Sequence, residues 1–495
     1  MNTLPALAGR WLAALVIAGA AALAPAALAG AGGDPPRIDP RQSAESRPGR
    51  WQAWSSDLGP KRPDGSRAPL NYLYRMPLDF EPGKRLTPRT VVVFFPDIGG
   101  DARSLAALMP GETFRPTDIL IALDGVTPSP GEPGRPDPPP IWAGEKVELG
   151  IAREVALDLS RQFPTSRICL AGLGQGGCFA AYFGAEWARI IDGGVVAIGS
   201  GLWNWTSAKG PASTLPIVLL HARADANRPY WSSLLALGPM QDAGLRGLML
   251  RRLSGDSSFD AAQVSACIDW ITAMRTGDAD EALAAVRAML STSPPPLALA
   301  RRALARFEPG GGGAPFKALD PQGPAAKAAW ALSVAIEAHA QQQAREIGAV
   351  LSDGAMLDAP DTPERAAGAA RLAAAREDFR GVAAMESLAA RLDADRRLAL
   401  AAAKAEQLLS ELGPGARPAE AMARAVDLLP VCLTFDGLAA SVAPTLDRWR
   451  AGATELGIDS ATVSRWESLR PLVEAAEAGR RAHASAVRAW AAPGP

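Results

Sequence analysis

The segment Arg167 to Gly177, Arg-Ile-Cys-Leu-Ala-Gly-Leu-Gly-Gln-Gly-Gly, constrains the fold of this chain more than any other. Its first half is a short apolar run suited to a buried strand, and the residues after it switch to a helical pattern. Gly172, Gly174 and Gly176 supply the small residues that a sharp strand-to-helix turn needs. The same alternation extends on both sides. The pattern predicts strands at Tyr72 to Met76, Thr90 to Phe95, Asp118 to Leu123, Arg167 to Ala171, Gly194 to Ile198, Ile217 to His221 and Arg246 to Leu253. It predicts helices at Glu145 to Gln162, Gly177 to Ala188, Tyr230 to Asp242 and Phe259 to Met274. The inner strands are uninterrupted apolar runs, as expected of parallel strands covered on both faces. The fold class is therefore α/β, with a mainly parallel sheet closing near Arg275.

Composition then shifts. All four tyrosines precede Gly277, and the chain beyond it is rich in Ala, Arg and Leu with no credible strand. Helical patterns at Ala325 to Leu351, Pro363 to Leu412 with breaks, and Pro418 to Leu429 predict an all-α region, a bundle rather than a regular solenoid, since no fixed period recurs. At 495 residues the chain exceeds one ordinary core. The expected division is 51–275 for the sheet domain and 276–495 for the helical one.

The N-terminus carries Arg10, an apolar run from Trp11 to Leu28 and a small-residue cleavage site at Ala27-Leu28-Ala29. This is the form of a secretory signal over 1–29, followed by a Pro-rich tether over 30–50. The expected location is periplasmic or extracellular, with no stable membrane insertion after cleavage. Lys plus Arg number 51 against 52 Asp plus Glu, which gives no overall charge to attract nucleic acid. Four cysteines are too few for a disulfide framework at this length. No metal-ligand or cofactor set is readable.

In a G-x-S-x-G elbow the central serine is the nucleophile, held free above the sheet on a strained turn. Here Gly174 occupies that position. Three more places complete a pattern: Val91 to Gly100, a strand entering a Gly-rich loop; Ile217 to Asp225, a strand leading to an acid; and Leu253-Ser254-Gly255-Asp256 ahead of a helix containing Asp269-Trp270-Ile271. Together they resemble the α/β-hydrolase superfamily, in particular its secreted esterase and polyhydroxyalkanoate depolymerase branch, over residues 70 to 275. The resemblance implies an α/β-hydrolase sheet, a triad acid at Asp225, a histidine where Asp256 stands, and a His-Gly oxyanion element where Pro96 and Asp97 stand. Nucleophilic catalysis needs a hydroxyl or thiol, a base and a group that orients the base. Gly174 and Asp256 remove the first two. Pro96 removes a backbone donor, and Asp97 places negative charge where a developing oxyanion needs stabilising.

Three histidines exist in the chain. His221, at a strand end, is expected to be structural, His339 a half-buried packing residue, and His483, among Arg480, Arg481 and Arg488, solvated. Gln175, Trp142, Trp203 and Trp205 are candidate lining residues of a crevice above the turn. Gly172 to Gly177 also satisfies G-x-G-x-x-G, but a dinucleotide site requires an acid at the end of the next strand, and Val195 to Gly201 offers none. The sequence therefore predicts an exported protein with a degenerate hydrolase site and a role in binding a small molecule or protein, or in assembly. The rival expectation is an unconventional carboxylic ester hydrolase.

Overall fold

The structure is a computed structural model. It describes residues 47–490 apart from 62–63, 82–89, 110–112, 128–140, 143, 145, 164–165, 201–212, 226–227, 229, 254, 309–310, 312–314, 352–360, 393, 414 and 436–437. The signal segment and most of the tether lie outside the described residues.

Eight strands form one sheet: β1 (Trp51–Ser56), β2 (Leu70–Arg75), β3 (Thr90–Phe95), β4 (Ile119–Leu123), β5 (Arg167–Leu173), β6 (Val195–Ile198), β7 (Ile217–Ala222) and β8 (Leu248–Leu253). Their order is β1-β2-β4-β3-β5-β6-β7-β8. The β1–β2 and β2–β4 pairs are antiparallel and all the others parallel. This is a mainly parallel α/β sheet, as the alternation predicts, and is of the α/β-hydrolase-like kind that the resemblance implies. The strand not anticipated is β1, whose sequence Trp-Gln-Ala-Trp-Ser-Ser has no apolar run because it forms a half-exposed sheet edge.

Alternate residues of each strand serve opposite faces, as the pleat requires. Val92, Phe94, Leu120, Ala171, Val196, Val218 and Met249 point to one face. There they meet α1 (Ala102–Leu108) and α5 (Ala261–Arg275). Val91, Val93, Phe95, Ile121, Leu170, Ala197, Leu219 and Leu250 point to the other. That side is covered by α2 (Lys146–Gln162), α3 (Gln175–Glu186) and α4 (Tyr230–Asp242).

The chain then continues as α6 (Ala279–Leu290), α7 (Leu297–Leu304), α8 (Pro324–Val350), α9 (Pro363–Asp378), α10 (Ala383–Arg391), α11 (Ala394–Glu411), α12 (Pro418–Cys432), α13 (Leu438–Ala451) and α14 (Ser460–Trp490). Part of this region has its own core, built around Leu408, Met422, Leu429, Phe435, Leu446 and Trp466. The compositional line at 275/276 is not a packing boundary, however. The apolar cluster that begins on the sheet passes through Ile268 and Ile271 of α5 into Val286 and Met289 of α6, Leu297 and Leu304 of α7, and on to Phe379 and Met385. Composition changes after α5, the last helix laid on the sheet, whereas the core stops only where apolar faces run out.

Candidate functional site

At the end of β5 the backbone turns through Gly174, with φ 55° and ψ −116°, straight into α3. The turn is fixed by Gly174 N–H donating to Ile198 O at 2.8 Å and Cys178 N–H donating to Gly174 O at 3.1 Å. Such a dihedral pair is open to glycine and strained for any other residue. A β-carbon at Gly172 would overlap the backbone of Gly176, and one at Gly176 would overlap the carbonyl groups of Phe95 and Pro96. The spacing of glycines thus records the close approach of β3, β5 and α3.

Gly174 faces a side chain. A β-carbon there would collide with the Asp97 carboxylate and lie 2.6 Å from Arg228 Nε. Asp97 follows β3 through the buried Pro96, and its Oδ1 accepts the Gln175 N–H at 2.8 Å. Its other oxygen forms an ion pair with the Arg228 guanidinium, the two side chains being 20% and 26% exposed. Burial lowers the Arg228 pKa. In a serine hydrolase elbow the amide after the nucleophile is an oxyanion-hole donor. Here that donor already holds an internal carboxylate, and Arg228 balances its charge.

Asp225, after β7, accepts the Arg228 backbone N–H on Oδ1 at 3.0 Å and the Ser258 hydroxyl on Oδ2. Ser258 Oγ in turn accepts the Ala222 N–H at 3.1 Å. The residue that the loop between β8 and α5 brings to Asp225 is therefore Ser258, not Asp256. Asp256 is exposed, and the structure does not bring it to Asp225. The sequence pattern looked for a residue just after a glycine, while the loop presents the one two positions further on. Gly199, with φ 55°, closes the other side, where a β-carbon would lie 3.0 Å from Ser258 Oγ and 3.3 Å from Arg228 Cδ.

His221 is fully buried, with Nδ1 2.7 Å from Ser233 Oγ and Nε2 2.7 Å from Arg228 O. Burial pushes its pKa down. It fastens the loop that carries Asp225 and Arg228, so it is structural, as the resemblance implies. His339 is half-buried against Phe379, 5.6 Å between ring centres. His483 requires correction: it is 0% exposed, with Nε2 2.8 Å from Asp378 Oδ2. Its arginine neighbours in sequence suggested a solvated helix face, but α9 packs against that face of α14. Neither histidine is among the groups around Gly174.

Trp142 is 1% exposed and belongs to the core of the second face, 5.1 Å from the Phe95 ring and 4.8 Å from that of Phe179. Gln175 is half-buried at the turn. Trp203 and Trp205 lie outside the described residues. Asp192 accepts the Ile168 N–H at 3.0 Å, at the end of β5 opposite the turn. The four cysteines are free thiols. Burial pushes Cys169 and Cys267 up to about 12. Among the described residues no cluster of three His, Cys, Asp or Glu side chains could hold a metal, and no helix is long and apolar enough to cross a membrane. Arg228 and Ser258 are the site residues that sequence reasoning did not identify. Neither stands in a motif, and each enters the site only through a contact distant in the chain.

No family model and no curated sequence matches the chain. Among solved structures, an α/β serine hydrolase without a lid from Xanthomonas campestris is 18% identical, with a TM-score of 0.32 over 46% of this chain and 94% of that one. A fluorophosphonate-binding serine hydrolase from Staphylococcus aureus is 13% identical, with a TM-score of 0.33 over 45% of this chain and 98% of that one. A thermostable esterase is 15% identical with a TM-score of 0.32, and the match takes in 45% of this chain and only 62% of the esterase.

Proposed function

We propose that this is an exported α/β-hydrolase-fold protein whose strand-to-helix turn does not carry out serine hydrolysis and whose role is binding or assembly. One observation carries the proposal: the Asp97 carboxylate fills the position facing Gly174, held by the Gln175 amide and Arg228. A substrate carbonyl would have to displace a tethered anion from the donor it needs. If it entered beside that anion, the developing oxyanion would face a carboxylate and find its backbone donor already occupied. Among the described residues no hydroxyl or thiol stands at the serine's position, which Gly174 occupies. Ser258 is a hydroxyl, but it is 2% exposed and its partner is a carboxylate rather than an imidazole. The retained Asp225 has no base to orient and instead holds the Arg228 loop.

The test is turnover of a short-chain aryl ester together with labelling by a fluorophosphonate probe. Neither is expected from the purified protein. Labelling of any residue between Gly172 and Cys178, or hydrolysis removed by changes at Asp225 or Ser258, would overturn the reading and favour the ester hydrolase alternative. Export is supported by Arg10, the apolar run and Ala27-Leu28-Ala29. Mass spectrometry of the mature protein is expected to find an N-terminus near Gly30.

A further inference from the structure

Away from the turn, β8, the loop after β7 and the two packed helices α9 and α14 enclose a cavity of about 250 Å³. Six arginines line it: Arg223, Arg251, Arg252, Arg480, Arg481 and Arg488. Asp378, at the end of α9, is the acidic residue among the lining groups. The buried arginines are partly neutralised. Arg251 and Arg252 both engage Asp378, at 3.4 and 3.0 Å, and Arg252 Nε lies 3.5 Å from Glu377. Arg223 and Arg480 share Glu477. Arg223, Arg251, Arg252 and Arg480 are thus held in ion pairs, and Arg481 and Arg488 add an excess of positive charge at the rim.

That excess is presented for use. Arg481 and Arg488 are exposed, and no hydrogen bond or ion pair engages either among the described residues. They stand on one face of α14 with Ala484 and Val487 between them, a spacing of two helical turns. The small Ala484 lies between them on the cavity wall. His483 reaches the same cluster from the buried side, and its Nδ1 has no partner. Guanidinium forks match phosphate and carboxylate oxygens two at a time, and they bind best where water is partly excluded. A cavity of about 250 Å³ has room for a small multivalent anion.

We infer that this cavity is a binding site for a small multivalent oxyanion carrying phosphate or carboxylate groups. The ligand chelates Arg481 and Arg488 at the mouth, while Arg251 and Arg252, fixed by Asp378, supply the positive floor.

Isothermal titration of the whole mature protein with inorganic pyrophosphate and, separately, with citrate tests the assignment. Saturable one-to-one binding that weakens as salt is added is the expected result. The variant Arg481→Ala with Arg488→Ala is expected to bind at least about tenfold more weakly, the loss of charge-assisted bonds, with an unchanged urea midpoint because both side chains are exposed. Arg481→Lys with Arg488→Lys retains charge but not the fork and falls between. Pyrophosphate binding alone assigns a phosphate ligand, citrate alone a polycarboxylate, and both the shared chemistry. Failure of both anions to saturate at millimolar concentration, or equal affinity in the double alanine variant, overturns the inference.

Discussion

Replacing Gly174 with alanine probes the site at its tightest point. Alanine must adopt φ 55° and ψ −116°, which costs about 1–3 kcal/mol for a residue with a side chain. Its β-carbon also collides with the Asp97 carboxylate. Asp97 must then release the Gln175 amide, a charge-assisted bond worth about 1.5–3 kcal/mol. The Asp97–Arg228 pair is partly solvated, so its loss adds no more than about 1 kcal/mol. Gly174→Ala is therefore expected to destabilise the protein by roughly 2.5–7 kcal/mol. In an Asp97→Ala background the collision with the carboxylate disappears. What remains is the backbone strain and a contact with the far end of the flexible Arg228 side chain, so the cost falls to about 1–3 kcal/mol. Urea denaturation of the four proteins, followed by tryptophan fluorescence, measures the difference as a double-mutant cycle. The expected coupling is about 2 kcal/mol or more. If Gly174→Ala costs the same in both backgrounds, to within about 0.5 kcal/mol, then Asp97 does not occupy the position above the turn, and the account of a self-filled site fails.

Asp378 provides a pH prediction. Burial alone would raise its pKa, but the charge of Arg252, the hydrogen bond from His483 and the charge of Arg251 outweigh burial and hold it well below the ordinary carboxylate range. A depressed carboxylate stabilises the fold above its unfolded pKa of about 3.9 and loses that contribution as pH falls through the folded value. Asp378→Asn is expected to cost about 3–5 kcal/mol at neutral pH because it leaves two buried arginines short of a counter-charge, and the gap between variant and wild-type urea midpoints is expected to narrow below about pH 4; a pH-independent gap refutes the ionic account. If the shared core joins the two regions, a chain ending at Thr276 is expected to show no cooperative unfolding, since α5 would expose the face that Val286, Met289 and Leu297 cover; a stable, monomeric fragment contradicts this. Rebuilding a serine hydrolase is expected to need Gly174→Ser, Ser258→His and Asp97→Gly together, and fluorophosphonate labelling by Gly174→Ser with Asp256→His instead would restore Asp256 to the site.

The sequence determined the sheet and the turn because both are written locally. Apolar runs in the middle of the sheet mark strands buried on two faces, and β3 begins and ends where the run Thr90 to Phe95 does. The glycines at 172 and 176 mark backbone approaches that admit no β-carbon, and Gly174 marks a dihedral pair that any other residue adopts only under strain. The glycine at the centre of the turn was legible for the same reason, since one position decides it. What fills the vacated space was not. Asp97 meets Gln175 across 78 residues and Ser258 meets Asp225 across 33, pairings set by the order of strands in the sheet rather than by any short pattern. The arginine cavity was hidden for a related reason. Periodicity reports which face of α14 is apolar, but not that α9 would lay Asp378 against it and carry His483 out of water. Composition placed a boundary at residue 275, where α5, the last helix packed on the sheet, ends. Only tertiary packing decided that the core would continue across it, because apolar side chains on α5, α6 and α7 have no other surface on which to escape water.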